Sequence, residues 1–200
     1  MGKRRRDGPA FPFHAMPLKG DRLPGEDMFQ RRLNRAPSPV LATIIPWLSI
    51  AILSLAPLSP IIASAPVLPP FSFMLLIAWR LFRPGMLPLW AGAPLGLFDD
   101  LFSGQPIGSA VLLWSLTMIA LEALDNWQRW RSFWQDWAVA SVMIAAYLFL
   151  GHVLAVMAGT LWYPSLLLPQ LLISILSFPL FTRLVAILDV LRRARVKVLG

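Results

Sequence analysis

The sequence predicts an all-α membrane protein that crosses the bilayer six times. Of its 200 residues, 57% are hydrophobic and 14% are charged, a balance far from that of a soluble domain. The apolar residues form long runs from about residue 40 onward, and runs of this length are typical of membrane helices. The chain contains 19 prolines and 9 tryptophans, as expected for membrane helices with aromatic side chains at the interface.

The chain begins with a basic segment, residues 1–38, which we expect to be a disordered cytoplasmic tail. This segment is rich in Pro, Gly and charged residues and shows no sustained periodicity. No apolar stretch follows its first basic residues directly, so it does not read as a signal peptide. Its simplest role is to fix the orientation of the chain. The alternative is contact with anionic lipid or with a cytoplasmic partner.

Six apolar runs form the predicted membrane domain, residues 39–192. They lie at about residues 40–59, 66–82, 86–101, 106–124, 138–159 and 165–183. The third run is the weakest, because it provides only about 24 Å of helix against a hydrocarbon core of about 30 Å. A re-entrant hairpin with the fourth run is the alternative. That arrangement would leave the basic C-terminal residues 193–200 outside, so the charge pattern argues against it.

Positive charge predicts the orientation of the six runs. If the N-terminus is cytoplasmic, all 18 Lys and Arg residues fall on the cytoplasmic side, and the three outer loops contain none. This distribution satisfies the positive-inside rule and places residues 193–200 in the cytoplasm as well. The net charge of +8 is therefore an orientation signal, and we expect no nucleic-acid partner.

A turn between the third and fourth runs, GLFDDLFSGQPIG at residues 96–108, carries the most unusual polar residues. Asp99 and Asp100 mark the point where the chain leaves the membrane at the outer face. Either Asp100 or Ser103 is placed to accept backbone N–H groups at the start of the fourth helix. Gly104 allows a positive φ, and Gly108 is expected to let the fourth helix approach a neighbour. From the sequence alone, either carboxylate is a candidate for the functional acid of this turn.

Ligand binding at this turn is the alternative, since short spans interrupted by Pro and Gly are typical of transport sites. The polar residues available to line such a cavity are few. They are Asp99, Asp100, Ser103, Gln105, Tyr163 and Gln170.

Two groups of small residues predict close helix packing. Gly92 and Gly96 form a GxxxG pattern in the third run, and Gly151, Ala155 and Gly159 recur every four residues in the fifth. Small residues let helix backbones approach closely in membranes. We expect these two faces to receive partner helices.

Four tryptophans between residues 122 and 137 predict an amphipathic helix on the cytoplasmic leaflet. Trp127, Trp130, Trp134 and Trp137 have spacings of 3, 4 and 3, which would place them on one helical face. Lipid anchoring is the preferred interpretation, with partner binding as the alternative.

Patterns typical of enzymes are missing. The sequence has no HExxH, P-loop or GxSxG motif, no cysteine and two histidines. Asp99 and Asp100 are adjacent, so on a helix their side chains diverge by about 100° and do not converge as a catalytic pair. We predict a protein that is not an enzyme and has no metal and no cofactor.

The turn at 96–108 has the pattern G-x-x-x-D-L-x-S-G-x-x-x-G. With the length of the chain and its six short spans, this pattern resembles the MreD family of rod shape-determining membrane proteins. The resemblance covers about residues 40–195, and Pro70 before the run FMLLIAW also fits. The chain departs from the family in its long basic tail and in the extra acid, Asp99. The matching residues are Gly96, Asp100, Leu101, Ser103, Gly104 and Gly108.

The resemblance implies a non-enzymatic scaffold in the bacterial inner membrane. Its expected partners are the bitopic protein MreC and the wall-synthesis complex that includes MreB filaments, the glycosyltransferase RodA and a transpeptidase. Its implied fold is similar to the substrate-binding S components of energy-coupling-factor transporters. That similarity keeps open an alternative function, as the membrane-embedded substrate-binding subunit of a vitamin-type transporter.

Overall fold

The computed structural model describes residues 39–58, 68–127, 132–160 and 164–192. These residues form helices and turns and contain no β-strand, so the all-α prediction is confirmed for this part of the chain. The predicted tail, residues 1–38, and the basic segment 193–200 lie outside the described residues.

Six α-helices occupy the described residues, one for each predicted apolar run. Short 3₁₀ turns, Ala56–Leu58 and Leu89–Ala91, follow the first helix and precede the third. In chain order the helices are α1 (Pro39–Ser54), α2 (Phe71–Phe82), α3 (Gly92–Ser103), α4 (Ser109–Trp127), α5 (Phe133–Met157) and α6 (Pro164–Arg192).

Two of these helices are long and apolar enough to cross a membrane. They are α5, Phe133–Met157, and the segment Ser165–Arg192 of α6. Helices α2 and α3 have 12 residues each, which corresponds to about 18 Å of helix. They are shorter than the predicted runs at 66–82 and 86–101. The prediction that all six helices span the bilayer stays a prediction.

Helix α2 is the most deeply buried element of the fold. Every residue from Ser72 to Leu81 is buried, because the sequence FSFMLLIAWRLF is apolar on all sides apart from one serine and one arginine. The helix packs against α1, α5 and α6. The ring of Phe73 stacks on that of Tyr147 from α5, with a centroid distance of 4.0 Å, and lies 6.0 Å from the ring of Trp114 in α4.

Helices α3 and α4 form a tight hairpin beside this centre. Helix α3 packs along α4 and also touches α1. Helix α1 is joined to α2 by a hydrogen bond in which the indole N–H of Trp79 donates to the hydroxyl of Ser49 at 3.0 Å. The candidate site lies where α3 ends and α4 begins.

Candidate functional site

The carboxylate of Asp100 caps helix α4. Asp100 lies in the last turn of α3 and is 4% exposed. It accepts backbone N–H groups of Gly108 at 2.8 Å, Ala110 at 2.9 Å and Val111 at 3.3 Å. The hydroxyl of Ser109 donates to it at 3.3 Å. These contacts satisfy N–H groups that have no partner within the helix, and they place negative charge at its positive end.

Ser103, the other candidate for this cap, does not bond to α4. Its hydroxyl is buried and has no hydrogen-bond partner among the described residues. Both residues are candidate caps in the sequence, and the structure shows Asp100 in that position. The cap comes from the preceding helix and not from the residue next to α4, which is why the contact closes a hairpin.

Two glycines shape the turn through their backbone conformation. Gly104 ends α3 with φ of 68° and Gly108 precedes α4 with φ of 94°. Residues with a side chain seldom adopt such angles. The prediction that Gly108 allows close helix approach is wrong, because among the described residues other than its chain neighbours no atom lies within 4 Å of the position a Cβ would take. Its role is to turn the chain so that its N–H faces Asp100.

The GxxxG pair does produce close packing, and the neighbouring helix belongs to the same chain. A Cβ on Gly96 would lie 2.7 Å from the carbonyl oxygen of Ala110, and one on Gly92 would lie 2.9 Å from the carbonyl of Trp114. Both contacts are with the backbone of α4. The expectation that this face receives a partner helix is therefore wrong, since α4 already covers it.

The predicted small-residue stripe on α5 is interrupted. A Cβ on Gly151 would meet the side chain of Leu113 at an ordinary 3.7 Å, so α5 comes no closer there than other residues allow. Gly159 lies beyond the end of the helix with φ of 99°. The N–H of Thr160 donates to the carbonyl of Ala155 at 3.1 Å, as in a Schellman motif. Gly159 thus ends α5 and does not extend a packing face.

The predicted tryptophan helix is not continuous. Helix α4 ends at Trp127 and α5 begins at Phe133, while Trp130 lies outside the described residues. The N–H of Ser132 donates to the side chain of Gln135 at 3.0 Å, half of the capping-box pattern that starts a new helix. The S-x-x-Q spacing at 132–135 carries that signal, so the prediction of one helix from 122 to 137 is wrong.

Two of the four tryptophans are described in detail, and their environments differ. Trp134 is 70% exposed, as an interfacial anchor would be. Trp137 is partly buried, and its indole N–H donates to the carbonyl of Ile175 in α6 at 3.1 Å. Trp137 therefore joins α5 to α6.

Asp99 occupies a different environment from its neighbour Asp100. It is 5% exposed and accepts a hydrogen bond of 2.6 Å from the hydroxyl of Ser72 in α2. Successive helical residues point in different directions, so one carboxylate caps α4 while the other faces α2.

Asp99 lines a polar cavity of about 280 Å³, which we call the Asp99 cavity. It lies between the end of α1, the start of α2, the end of α3, and parts of α5 and α6. The rest of its lining is apolar and includes Leu53, Leu68 and Leu148. Its polar lining residues are Ser72, Asp99, Ser103, Gln105, Tyr147 and Gln170.

Four of the six polar residues proposed from the sequence as a ligand site thus come together. Asp100 is not among the lining residues, and Tyr163 lies outside the described part of the chain. Ser72 and Tyr147 were missed, because each lies inside an apolar helix far away in sequence. A polar residue within an apolar run was the available signal.

A second concave surface, the α1–α3 groove, is apolar. It has a volume of about 670 Å³ and opens to the outside of the helix bundle. At one end the rings of Trp47 and Trp90 lie 5.4 Å apart. Its lining includes Trp47, Leu48, Trp90, Pro94, Leu95 and Phe98.

Ion pairs join the helices at the ends that lie away from the Asp99 cavity. Arg80 of α2 is 2% exposed and pairs with Glu122 and, at 2.8 Å, with Asp125, both from α4. A charge within an apolar helix requires partners, and Arg80 in FMLLIAWRLF was the signal for them.

Asp189 of α6 forms a second junction at this end. It is completely buried and bonds to Arg83 at 2.9 Å and to Arg192 at 2.8 Å. These contacts connect the end of α2 to α6. The sequence pattern had suggested neither the pairing across helices nor its burial.

Within the described residues, no group of three or more His, Cys, Asp or Glu side chains is arranged to hold a metal ion.

No family model, curated protein or solved structure matches the chain. The resemblance to the MreD family therefore stays a prediction that rests on the residues of the 96–108 turn.

Proposed function

We propose that this protein is a non-enzymatic, MreD-like scaffold subunit of the bacterial wall-elongation complex. In this proposal all six helices cross the inner membrane and both chain ends lie in the cytoplasm. The chain binds an MreC-like bitopic protein and thereby helps to place RodA-type and transpeptidase partners with MreB filaments. The fold would be that of an energy-coupling-factor S component. The family resemblance supplies this biological setting.

The observation that carries the proposal is that the motif residues build a fixed hairpin next to an open apolar groove. Asp100 uses its carboxylate to cap α4, Gly96 lies against the α4 backbone, and Gly104 and Gly108 set the turn. None of these four lines the Asp99 cavity. Residues used in this way support a structural role, since a rigid surface lowers the cost of ordering a partner helix.

We place the partner helix in the α1–α3 groove. The small-residue face of α3 is covered by α4, and the stripe on α5 ends at residue 157, so neither predicted docking face is open along its length. The groove instead offers an apolar concave surface with aromatic side chains at one end. In lipid, association depends on close packing of complementary shapes, which a groove provides and a convex helix does not.

Disulfide crosslinking tests this placement, because the chain contains no cysteine of its own. Leu48→Cys puts one thiol in the groove, at a residue that is 54% exposed. Leu176→Cys on α6, at a residue that is 72% exposed, is the matched control outside it. Each variant is expressed with an MreC-like protein that carries one cysteine in its membrane helix. We expect crosslinking from position 48 only. Equal or stronger crosslinking from position 176 would refute docking in the groove.

The second candidate function is the substrate-binding subunit of a small-molecule transporter. The Asp99 cavity favours it, since a concave site with a few polar groups among apolar ones is the usual form of a ligand pocket. Its volume of about 280 Å³ suits a small compound. Purification with an ATPase module and a coupling membrane subunit would support this function over the scaffold.

A further inference from the structure

We infer that the Asp99 cavity binds a small organic ammonium compound. The inference rests on the second candidate function, because it requires that the cavity takes a ligand. It adds the chemical class of that ligand, which neither the turn motif nor the scaffold proposal specifies.

The charge of the cavity lining is the first argument. Asp99 is its one acidic residue, and no Lys, Arg or His lies among the lining residues that the structure describes. The carboxylate is 5% exposed, and the donors that approach it, the hydroxyls of Ser72 at 2.6 Å and of Ser54 at the end of α1, are both neutral. A buried carboxylate is costly unless a cation or several donors compensate it. A positively charged ligand would supply that compensation.

The arginines of the helix bundle do not supply it. Arg80 pairs with acids of α4, and Arg83 and Arg192 pair with Asp189. These pairs lie at the ends of α2, α4 and α6 that are opposite to the Asp99 cavity. Asp99 thus differs from Asp189, a buried acid that the fold provides with two cationic partners.

The remaining lining distinguishes an ammonium compound from a metal ion. An ammonium group donates three hydrogen bonds, and hydroxyl and amide oxygens on Tyr147, Gln105 and Gln170 can accept them beside the carboxylate. A calcium-type ion needs six or more oxygen ligands at close range, usually including several carboxylates. The cavity has one carboxylate, and its leucine side chains suit the hydrocarbon part of an amine.

Thermal unfolding of the purified full chain in detergent tests the inference. The probe is benzylammonium, and benzyl alcohol is its neutral analogue of similar size. A compound that binds the folded state raises the melting temperature with a saturable dependence on its concentration. Asp99→Asn removes the charge and keeps the shape, and Tyr147→Phe removes one hydroxyl. Asp27→Asn makes the same chemical change in the N-terminal segment and is the control.

We expect a saturable shift with benzylammonium and none with benzyl alcohol. Asp99→Asn should weaken the apparent affinity by about tenfold or more, because a hydrogen bond to a charged group is the strongest contact available. Tyr147→Phe should weaken it less, and Asp27→Asn should leave it unchanged.

Three outcomes would overturn the inference. Equal shifts with benzyl alcohol, or full benzylammonium binding by both cavity variants, would exclude ammonium recognition by Asp99. The second candidate function would survive equal shifts that Asp99→Asn or Tyr147→Phe alters, since the cavity would then still take a ligand. A wild-type chain that shows no saturable shift with benzylammonium would also overturn it.

Discussion

Replacing Asp100 by alanine tests the role of the hairpin most sharply. The substitution removes the acceptor of three backbone N–H groups and one hydroxyl at the start of α4. Those donors are buried or half-buried between α3 and α4, so water replaces the lost contacts poorly. We expect α4 to lose its cap and the α3–α4 hairpin to loosen.

The magnitude follows from the number of donors. Loss of an ordinary helix cap costs about 1 kcal/mol. Hydrogen bonds inside membrane proteins average about 0.6 kcal/mol each, which gives about 2 kcal/mol for three N–H groups. Each buried donor left unpaired costs about 1 kcal/mol or more, which raises the figure to about 3–4 kcal/mol. We therefore expect a loss of about 2–4 kcal/mol in unfolding free energy, or roughly 4–16 °C in melting temperature.

Thermal unfolding in mild detergent measures this loss, and the neighbouring carboxylate provides the control. Asp100→Asn keeps one acceptor oxygen and should lose about half as much stability as Asp100→Ala. Asp99→Asn keeps an acceptor for Ser72 and removes a buried charge, so its melting temperature should stay within a few degrees of wild type. If Asp100→Ala melts like wild type, or Asp99→Asn loses as much as Asp100→Ala, the assignment of the cap to Asp100 is refuted.

Further substitutions test the helix packing, the ion pair and the end of α5. Gly96→Ala should cost about 1–3 kcal/mol by overpacking against the α4 backbone, while Gly151→Ala should cost little, and equal melting temperatures would contradict the close approach. Arg80→Met should cost about 1–2 kcal/mol, because it removes the ion pairs of a buried arginine with Glu122, which is 49% exposed, and Asp125, which is 16% exposed. Adding Asp125→Asn should restore part of that loss in a double-mutant cycle, and strictly additive losses would argue against the pair. Gly159→Ala should cost about 1 kcal/mol, because alanine seldom adopts the φ of 99° found at the end of α5; an unchanged melting temperature would contradict this role of Gly159.

The helices were predictable because their signals are local. Each apolar run became one helix, and the S-x-x-Q start of α5 and the glycine ends of α3 and α5 are local signals as well. The start of α5 was missed because tryptophan spacing was given more weight than that capping pattern. A helix starts where its first backbone N–H groups find hydrogen-bond partners, and the spacing of tryptophans on either side does not change that requirement.

The partners of each helix face were not predictable in the same way. Gly92 and Gly96 correctly indicated close packing, but one sequence does not say which helix fills the gap, and the neighbour along the chain did so. Asp100 was recognised as a possible cap because its target is eleven residues away or less. The contacts from Asp99 to Ser72 and from Arg83 to Asp189 cross 27 and 106 residues, and no local pattern encodes them.

The measurement that tests the proposed function most directly is mass spectrometry of proteins that copurify with the tagged chain from crosslinked, mildly solubilised membranes. The scaffold proposal predicts an MreC-like bitopic protein together with RodA-type or transpeptidase proteins. Recovery of an ATPase pair and a coupling membrane subunit, with no wall-synthesis proteins, would contradict the proposal and favour ligand binding at Asp99.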